Sequence, residues 1–136
     1  METNATKPII LYAEDDEDDF DSIKDALSQI TDNYTLVHAR HGQEVVQLLE
    51  EEKLQPLIII LDLNMPIMDG KETLLWLKGN EKYKSLPIMI FTTSSREDDV
   101  KLCQTHKCSF FRKPTLYRDL LHVAQMVLQM SSEKVS

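Results

Sequence analysis

The sequence predicts an α/β domain built on a doubly wound, five-stranded parallel sheet with helices on both of its faces. Short apolar segments that suit strands alternate five times with segments whose apolar residues recur every three or four positions. This alternation requires parallel strands joined by right-handed helical crossovers, which cover both faces of the sheet. With 136 residues, 42% of them hydrophobic, the chain is long enough for one domain with a core of its own.

The first part of the chain predicts three strands and two helices. Residues 8–13, PIILYA, form a short apolar strand, and residues 20–30 then place apolar side chains at helical spacing. Residues 34–39, YTLVHA, alternate well enough for a second strand, and a second helix follows and ends in EEEK. At residues 58–61 four branched aliphatics run directly into an aspartate, which is typical of a strand buried on both faces.

The second part predicts two more strands and three helices. A helix begins after Gly70 and stops near Gly79, and Pro87 opens the fourth strand, PIMIFTT. A short helix covers about residues 96–106, and SFFRKP is the fifth strand. The last helix covers about residues 116–130. We therefore expect one domain at residues 8–130, between polar tails at residues 1–7 and 131–136.

The charge of the chain argues against nucleic acid as a partner. Twenty-three acidic residues against 15 basic ones give a net charge of −8, without a clustered basic face. No apolar run approaches the ~20 residues that span a bilayer, and the first residues lack a hydrophobic signal core, so we expect a cytoplasmic protein without a membrane contact. Cys103 and Cys108 are then expected to be reduced thiols.

Seven of the eight residues at positions 14–21, EDDEDDFD, are acidic. Beyond the first two positions we expect most of these carboxylates to be solvated. We expect Asp16 to add local charge or to cap the first helix.

Polar side chains stand where the predicted strands end. In parallel sheets of this kind, ligands bind outside the carboxyl ends of the strands. The first strand ends in Glu14-Asp15 and the third in Asp62, whereas the fourth ends in Thr92-Thr93 and the fifth in Lys113.

These side chains suit the transfer of a phosphoryl group. Three converging carboxylates repel one another unless a cation lies among them, and their oxygen-only ligand set favours Mg²⁺. Lys113 and Thr92 are poor Mg²⁺ ligands but good donors to phosphoryl oxygens. An aspartate between metal and donors is placed to attack phosphorus, so Asp62 is predicted to be a phosphoryl acceptor.

The same residues resemble the receiver domain of two-component response regulators. The resemblance covers about residues 9–129, and it includes Asn64-Met65-Pro66, Asp69-Gly70 and Pro114 beside the residues above. The segment LPIMIFTTSSREDD is most similar to stand-alone regulators that pair with phytochromes and similar sensor kinases. The family implies a flavodoxin-like, CheY-like sheet with strand order 2-1-3-4-5.

The resemblance also implies how the site works. Asp62 would take the phosphoryl group from a phosphohistidine of a sensor histidine kinase. Asp15, Asp62 and the backbone carbonyl of Asn64 would bind Mg²⁺, and Glu14 would help through water. Lys113 would contact the phosphoryl group. Such a domain is not an enzyme beyond its self-phosphorylation from phosphodonors and its autodephosphorylation.

The family's output mechanism implies a switch and a docking face. Thr92 would move toward the phosphoryl group, and Phe110 stands at the position of the second switch residue. The face formed by residues 96–130 would then bind a downstream protein or a second copy of the chain. Two departures from the family affect the site: Thr93 is larger than the usual Ala or Gly, and residues 107–109, KCS, replace a small Gly/Ala-rich turn.

Three other functions fit this fold. A Mg²⁺-dependent phosphatase with an aspartyl nucleophile would carry a second aspartate two residues later, where this chain has Asn64. A flavin-binding domain would need a phosphate-binding loop after the first strand, where this chain has EDDEDD. A receiver that binds partners without being phosphorylated is the third, and the complete residue set argues against it.

Overall fold

The computed structural model describes residues 7–94 and 96–135, which form five strands and five helices. In chain order the elements are β1 (Ile9–Ala13), α1 (Glu17–Ile30), β2 (Thr35–Ala39), α2 (Gly42–Glu50), β3 (Ile58–Leu61), α3 (Gly70–Lys78), β4 (Ile88–Thr92), α4 (Glu97–Thr105), β5 (Ser109–Arg112) and α5 (Tyr117–Val135). All strand pairs are parallel, and the sheet order is β2-β1-β3-β4-β5. The predicted fold class and strand order are confirmed.

The core consists of one apolar layer on each face of the sheet. On one face, side chains such as Val45 of α2, Leu74 of α3 and Cys103 of α4 pack against the strands. On the other face, α1 and α5 contribute residues such as Ile23 and Val127. All four residues of β3 are buried, as expected for a central strand covered on both sides.

The last helix extends further than the sequence predicts. α5 continues past Met130 to Val135, because Ser131 is compatible with a buried helical position. The Ser131 hydroxyl donates a hydrogen bond to the carbonyl oxygen of Val127 at 2.9 Å, so burial leaves no polar group unpaired. Residues 1–6 of the predicted N-terminal tail lie outside the described residues, and the division into a domain and two tails stays a prediction.

The turn between α4 and β5 is a Schellman motif. The amide of Cys108 donates to the carbonyl of Cys103 at 3.1 Å, and the amide of Lys107 donates to the carbonyl of Gln104 at 3.2 Å. Lys107 has a φ of 57°, the left-handed conformation that this motif requires after the last helical residue. The chain therefore keeps the tight turn, although a lysine stands where glycine is favoured.

The fold brings the carboxyl ends of all five strands to one edge of the sheet. The segments after β1, β3, β4 and β5 meet there, which places the predicted site residues within reach of one another. Within the part of the chain that the structure describes, no helix has the length and apolar character needed to cross a membrane.

Candidate functional site

Three carboxylates form a compact cluster at this edge. Glu14 and Asp15 directly follow β1, and Asp62 directly follows β3, the neighbouring strand. Each offers one oxygen that lies within 4.8 Å of the oxygens from the other two. Glu14 is fully buried and Asp62 is nearly so, whereas Asp15 is exposed. The cluster is therefore anchored in the core and open to solvent on one side.

The loop after β3 holds Asp62 against the start of α3. A Cβ atom on Gly70 would lie 2.2 Å from the Asp62 carbonyl oxygen, so only glycine allows this approach. Asp69 and Glu72 form a capping box that fixes the first turn of α3. The amide of Asn64 donates to Oδ1 of Asp62 at 3.2 Å, which helps to orient the carboxylate.

Lys113 binds this cluster from the opposite side. Its Nζ lies 2.7 Å from Glu14 Oε1, 3.0 Å from Asp62 Oδ2 and 2.7 Å from Asp19 Oδ2. Its amide donates to the carbonyl of Thr92 at 2.8 Å, which fixes the backbone after β5 beside β4. Burial alone would lower the pKa of the ammonium, but its three carboxylate partners outweigh burial and raise that pKa.

Glu14 has a strongly perturbed pKa. Burial raises the pKa of its carboxyl to about 7; the hydrogen bond from Lys113 opposes this shift, and the nearby charge of Asp62 adds to it. The Tyr12 hydroxyl also donates to Glu14 Oε1 at 2.9 Å. A buried carboxyl that gives up its proton only near neutral pH is expected where carboxylates crowd without a metal ion among them.

The donor set fits a divalent metal ion. The three side chains offer only carboxylate oxygens, which hard cations prefer over softer metals. A divalent ion would compensate the charge of the two buried carboxylates that Lys113 contacts. The exposed side at Asp15 leaves room for the water ligands that small hard cations retain.

The two predicted switch residues lie on neighbouring strands. Thr92 ends β4 and is fully buried, and its hydroxyl accepts a hydrogen bond from the amide of Ser94 at 3.4 Å. Phe110 of β5 is half-buried and stands beside Ile90 in the sheet. Because residues 90 and 92 point to the same face of the strand, Thr92 and Phe110 share one side of the sheet.

Sequence reasoning missed Asp19. Its neighbours Asp16, Glu17 and Asp18 are exposed as expected, and Asp16 caps α1, which confirms that prediction. Asp19 instead binds Lys113. The detectable signal was its position directly before the buried Phe20, which places it at the margin of the face that α1 turns toward the sheet.

A second missed carboxylate anchors α4. Asp99 is only 4% exposed; its Oδ1 lies 2.8 Å from Lys71 Nζ of α3, and its Oδ2 accepts a hydrogen bond of 2.7 Å from the Ser94 hydroxyl. Burial alone would raise the pKa of this carboxyl, but the bonds from Lys71 and Ser94 lower it below its usual value. Asp99 thus connects α4 to α3 and to the loop that follows Thr92.

Comparison with known proteins identifies the class to which this fold and site belong. The family model of the response regulator receiver domain matches residues 10–125. The chain is 31% identical to the response regulator Rcp1 of Synechocystis over 99% of its own length and 95% of that protein. This chain belongs to the response regulator receiver domain family.

Solved structures of two response regulators are also similar. The phosphorylated cyanobacterial phytochrome response regulator RcpA matches with a TM-score of 0.83 and 26% identity, over 91% of this chain and 93% of that one. The Mn²⁺-bound form of Rcp1 matches with a TM-score of 0.80 and 30% identity, over 88% of this chain and 91% of that one.

Membership of this family defines the general function of the chain. It is a receiver domain of two-component signal transduction, a signalling domain whose phosphodonor is a histidine kinase, and its acidic cluster fits a divalent metal ion. The phosphatase, flavin-binding and phosphorylation-independent alternatives receive no support from these similarities.

Proposed function

We propose that Asp62 accepts a phosphoryl group from the phosphohistidine of a sensor histidine kinase in a Mg²⁺-dependent reaction. The observation that carries this proposal is the position of its carboxylate. Asp62 lies 3.0 Å from the ammonium of Lys113, and a carboxylate oxygen of Asp62 lies within 4.8 Å of oxygens of Glu14 and Asp15. Of these carboxylates, Asp62 is the one that directly follows the central strand β3.

The transfer step follows from this arrangement. One carboxylate oxygen of Asp62 forms a bond to phosphorus, the bond from phosphorus to the donor nitrogen breaks, and the electron pair of that bond stays on the leaving imidazole. Lys113 stabilises the charge that spreads over the phosphoryl oxygens in the loose transition state. Mg²⁺, when bound, would supply further positive charge at the same oxygens.

We assign the metal ligands as Asp15, Asp62 and the backbone carbonyl of Asn64, with Glu14 acting through water. The choice of Mg²⁺ rests on the small number of carboxylates and on the exposure of Asp15, since Mg²⁺ keeps several water ligands. A metal ion held by these residues would share the charge of Glu14 and Asp62, and Lys113 could then turn an N–H donor to the phosphoryl group.

The output follows from the two switch residues. Thr92 turns its hydroxyl toward the phosphoryl group, and Phe110 rotates into the space that Thr92 leaves. This rearrangement changes the face at residues 96–130, which binds a downstream protein or a second copy of the chain. The similarity to the phytochrome response regulator RcpA supports a phytochrome-like kinase as the phosphodonor. We expect the protein to act in the cytoplasm.

Intact-mass measurement after incubation with acetyl phosphate and Mg²⁺ tests this proposal. Wild type is expected to gain the mass of one phosphoryl group, and to gain none when Mg²⁺ is omitted from the incubation. Asp62→Asn is expected to gain none, whereas Asp69→Asn, the same change in the same loop, still gains it. Equal gains by wild type and Asp62→Asn would contradict the assignment, and no gain by any variant would favour a phosphorylation-independent binding module.

A further inference from the structure

We propose that Asp19 is a positioning residue that competes with the phosphoryl group for Lys113 and so sets how firmly the site retains that group. This inference rests on the proposed function, because it concerns the same lysine. The ammonium of Lys113 has three N–H donors, and Glu14, Asp62 and Asp19 each lie within 3.0 Å of it.

Asp19 differs from the other two partners of Lys113 in its surroundings. Its side chain is 42% exposed, against 1% for Glu14 and 6% for Asp62. Among the residues that the structure describes, the compact oxygen cluster contains Glu14, Asp15 and Asp62 but not Asp19. Asp19 is therefore bound to the lysine and is not part of the metal site.

The backbone of Asp19 is held in place from both sides. The carboxylate of Asp16 accepts hydrogen bonds from the amides of Asp18 and Asp19, at 2.9 and 3.1 Å. The following residue, Phe20, is buried and stacks on Tyr12 with ring centroids 5.5 Å apart. This fixed first turn of α1 holds the backbone of Asp19 where its carboxylate reaches Lys113.

A phosphorylated site redistributes the partners of Lys113. Glu14 and Asp62 are then engaged by the metal and by the phosphoryl group, whereas Asp19 has no other cationic partner among the described residues and keeps its ion pair with the ammonium. It withholds one N–H donor and offsets part of the positive charge that the phosphoryl oxygens would otherwise receive. Removing the charge of Asp19 while keeping its shape should therefore strengthen binding of a phosphoryl group.

Titration with beryllofluoride, a phosphoryl mimic, tests this inference. At fixed Mg²⁺ and excess fluoride, the beryllium concentration that half-saturates the Thr92 amide shift is measured by NMR for three variants and wild type. Asp19→Asn is expected to need about fivefold less beryllium, a change typical of one partly exposed charge pair. Asp19→Glu keeps the charge and can still reach the lysine, so its half-saturating beryllium concentration is expected to be close to that of wild type.

Asp18→Asn is the matched control. Asp18 lies in the same helical turn, is exposed, and makes no side-chain hydrogen bond or ion pair to any residue that the structure describes. It should bind beryllofluoride as wild type does. The side-chain NMR signals of Lys113 should also move in Asp19→Asn and stay unchanged in Asp18→Asn.

Each other outcome overturns the inference. Equal tightening by Asp18→Asn and Asp19→Asn would mean a general effect of net charge, and weaker binding by Asp19→Asn would mean that Asp19 supports the phosphoryl group. An unchanged affinity, with wild type binding normally, would refute the role of Asp19 alone. If wild type itself fails to bind beryllofluoride, the proposed function and this inference fail together.

Discussion

Lys107 has a left-handed backbone conformation in the turn between α4 and β5, and this conformation reduces the stability of the protein. Its left-handed φ of 57° is required by the Schellman motif that ends α4, and residues with a Cβ atom adopt it at a cost of about 1–2 kcal/mol. Glycine, which lacks a Cβ atom, adopts this conformation without that cost. The turn of this chain nevertheless closes with both hydrogen bonds of the motif.

Replacing Lys107 with glycine should therefore stabilise the protein. The gain is expected to be about 1 kcal/mol, because relief of the left-handed conformation exceeds the extra entropy that glycine has in the unfolded chain. Urea denaturation measures the change. Lys101→Gly is the control, since Lys101 is an exposed residue inside α4 and the same substitution there should destabilise by about 1 kcal/mol. If glycine lowered the free energy of unfolding by similar amounts at both positions, this interpretation would be wrong.

Glu14 makes metal binding and proton release interdependent. Since burial raises its pKa to about 7, the folded protein binds this proton more tightly than the unfolded chain does. Without metal, this group therefore reduces stability as pH rises from its ordinary pKa through about 7. A divalent ion favours the charged carboxylate, and its binding should expel the proton.

Calorimetric titration with Mg²⁺ at neutral pH, in two buffers of different ionisation enthalpy, measures this release. Wild type is expected to release roughly half a proton from Glu14, because a group with a pKa near the working pH is about half protonated. Glu14→Gln should remove that part of the release. Identical proton release by both proteins would show that Glu14 does not change its protonation when the metal binds.

Most of the site was predictable because the ends of parallel strands meet at one edge of the sheet. Glu14, Asp62 and Lys113 needed only the strand assignment to be brought together. Asp19 and Asp99 were not predictable in this way. Their contacts depend on how far each helix is rotated about its axis and on how far a lysine side chain reaches, and the spacing of the sequence fixes neither.

At the scale of elements, Asp99 determines how α4 is held. Its carboxylate binds Lys71 of α3 and the Ser94 hydroxyl before α4 begins. The pKa of Asp99 is depressed, so the stability that it contributes is present above its ordinary pKa of 3.8 and is lost as pH falls through the lower folded value. The contribution is therefore complete at neutral pH.

Asp99→Asn should cost about 2 kcal/mol of unfolding free energy at neutral pH, because it removes a charge-assisted bond from a buried position. In acid below the ordinary pKa of 3.8, the difference from wild type should shrink as falling pH protonates Asp99. Denaturant unfolding at neutral and at acid pH measures the difference in unfolding free energy between wild type and variant. Asp98→Asn, at the exposed neighbouring position, is the control and should have little effect at either pH. If Asp99→Asn cost the same unfolding free energy at both pH values, the ion pair would not be the cause.

The order and type of the elements were predictable, but some of their ends were not. The type of each element was predictable because the spacing of apolar residues is consistent along each segment and differs between strands and helices. The alternation of the two types then predicted the parallel sheet. The end of α5 was missed because Ser131 and Ser132 indicate a tail by composition. The Ser131 hydroxyl binds the carbonyl of Val127 within the helix, a contact that composition does not reveal.

At the scale of the whole molecule, a chain of hydrogen bonds connects the site to α4. The amide of Ser94 donates to the Thr92 hydroxyl at 3.4 Å, and the Ser94 hydroxyl donates to Asp99 at 2.7 Å. If Thr92 turns toward a phosphoryl group, Ser94 loses an acceptor, and its bond to Asp99 carries the change to α4. Packed interiors favour two discrete arrangements over gradual deformation, so the docking face should switch as a unit.

Chemical shift mapping with beryllofluoride and Mg²⁺ tests this connection. Amide shifts are expected around Asp62 and also across residues 96–130. Thr92→Val keeps the buried shape but lacks the hydroxyl, so it should retain the shifts around Asp62 and lose most of those at residues 96–130. Wild-type changes confined to the surroundings of Asp62 would show that the switch does not reach the docking face.

Locating the phosphoryl group within the chain tests the central claim most directly. After phosphorylation by acetyl phosphate and Mg²⁺, borohydride reduces an aspartyl phosphate to homoserine, and peptide mass spectrometry then locates the reduced residue. The proposed function predicts homoserine at position 62 and unmodified aspartate at positions 15, 19 and 69. Homoserine at any of those other positions, or its absence from position 62 in protein that has gained a phosphoryl group, would contradict the assignment of Asp62 as the phosphoryl acceptor.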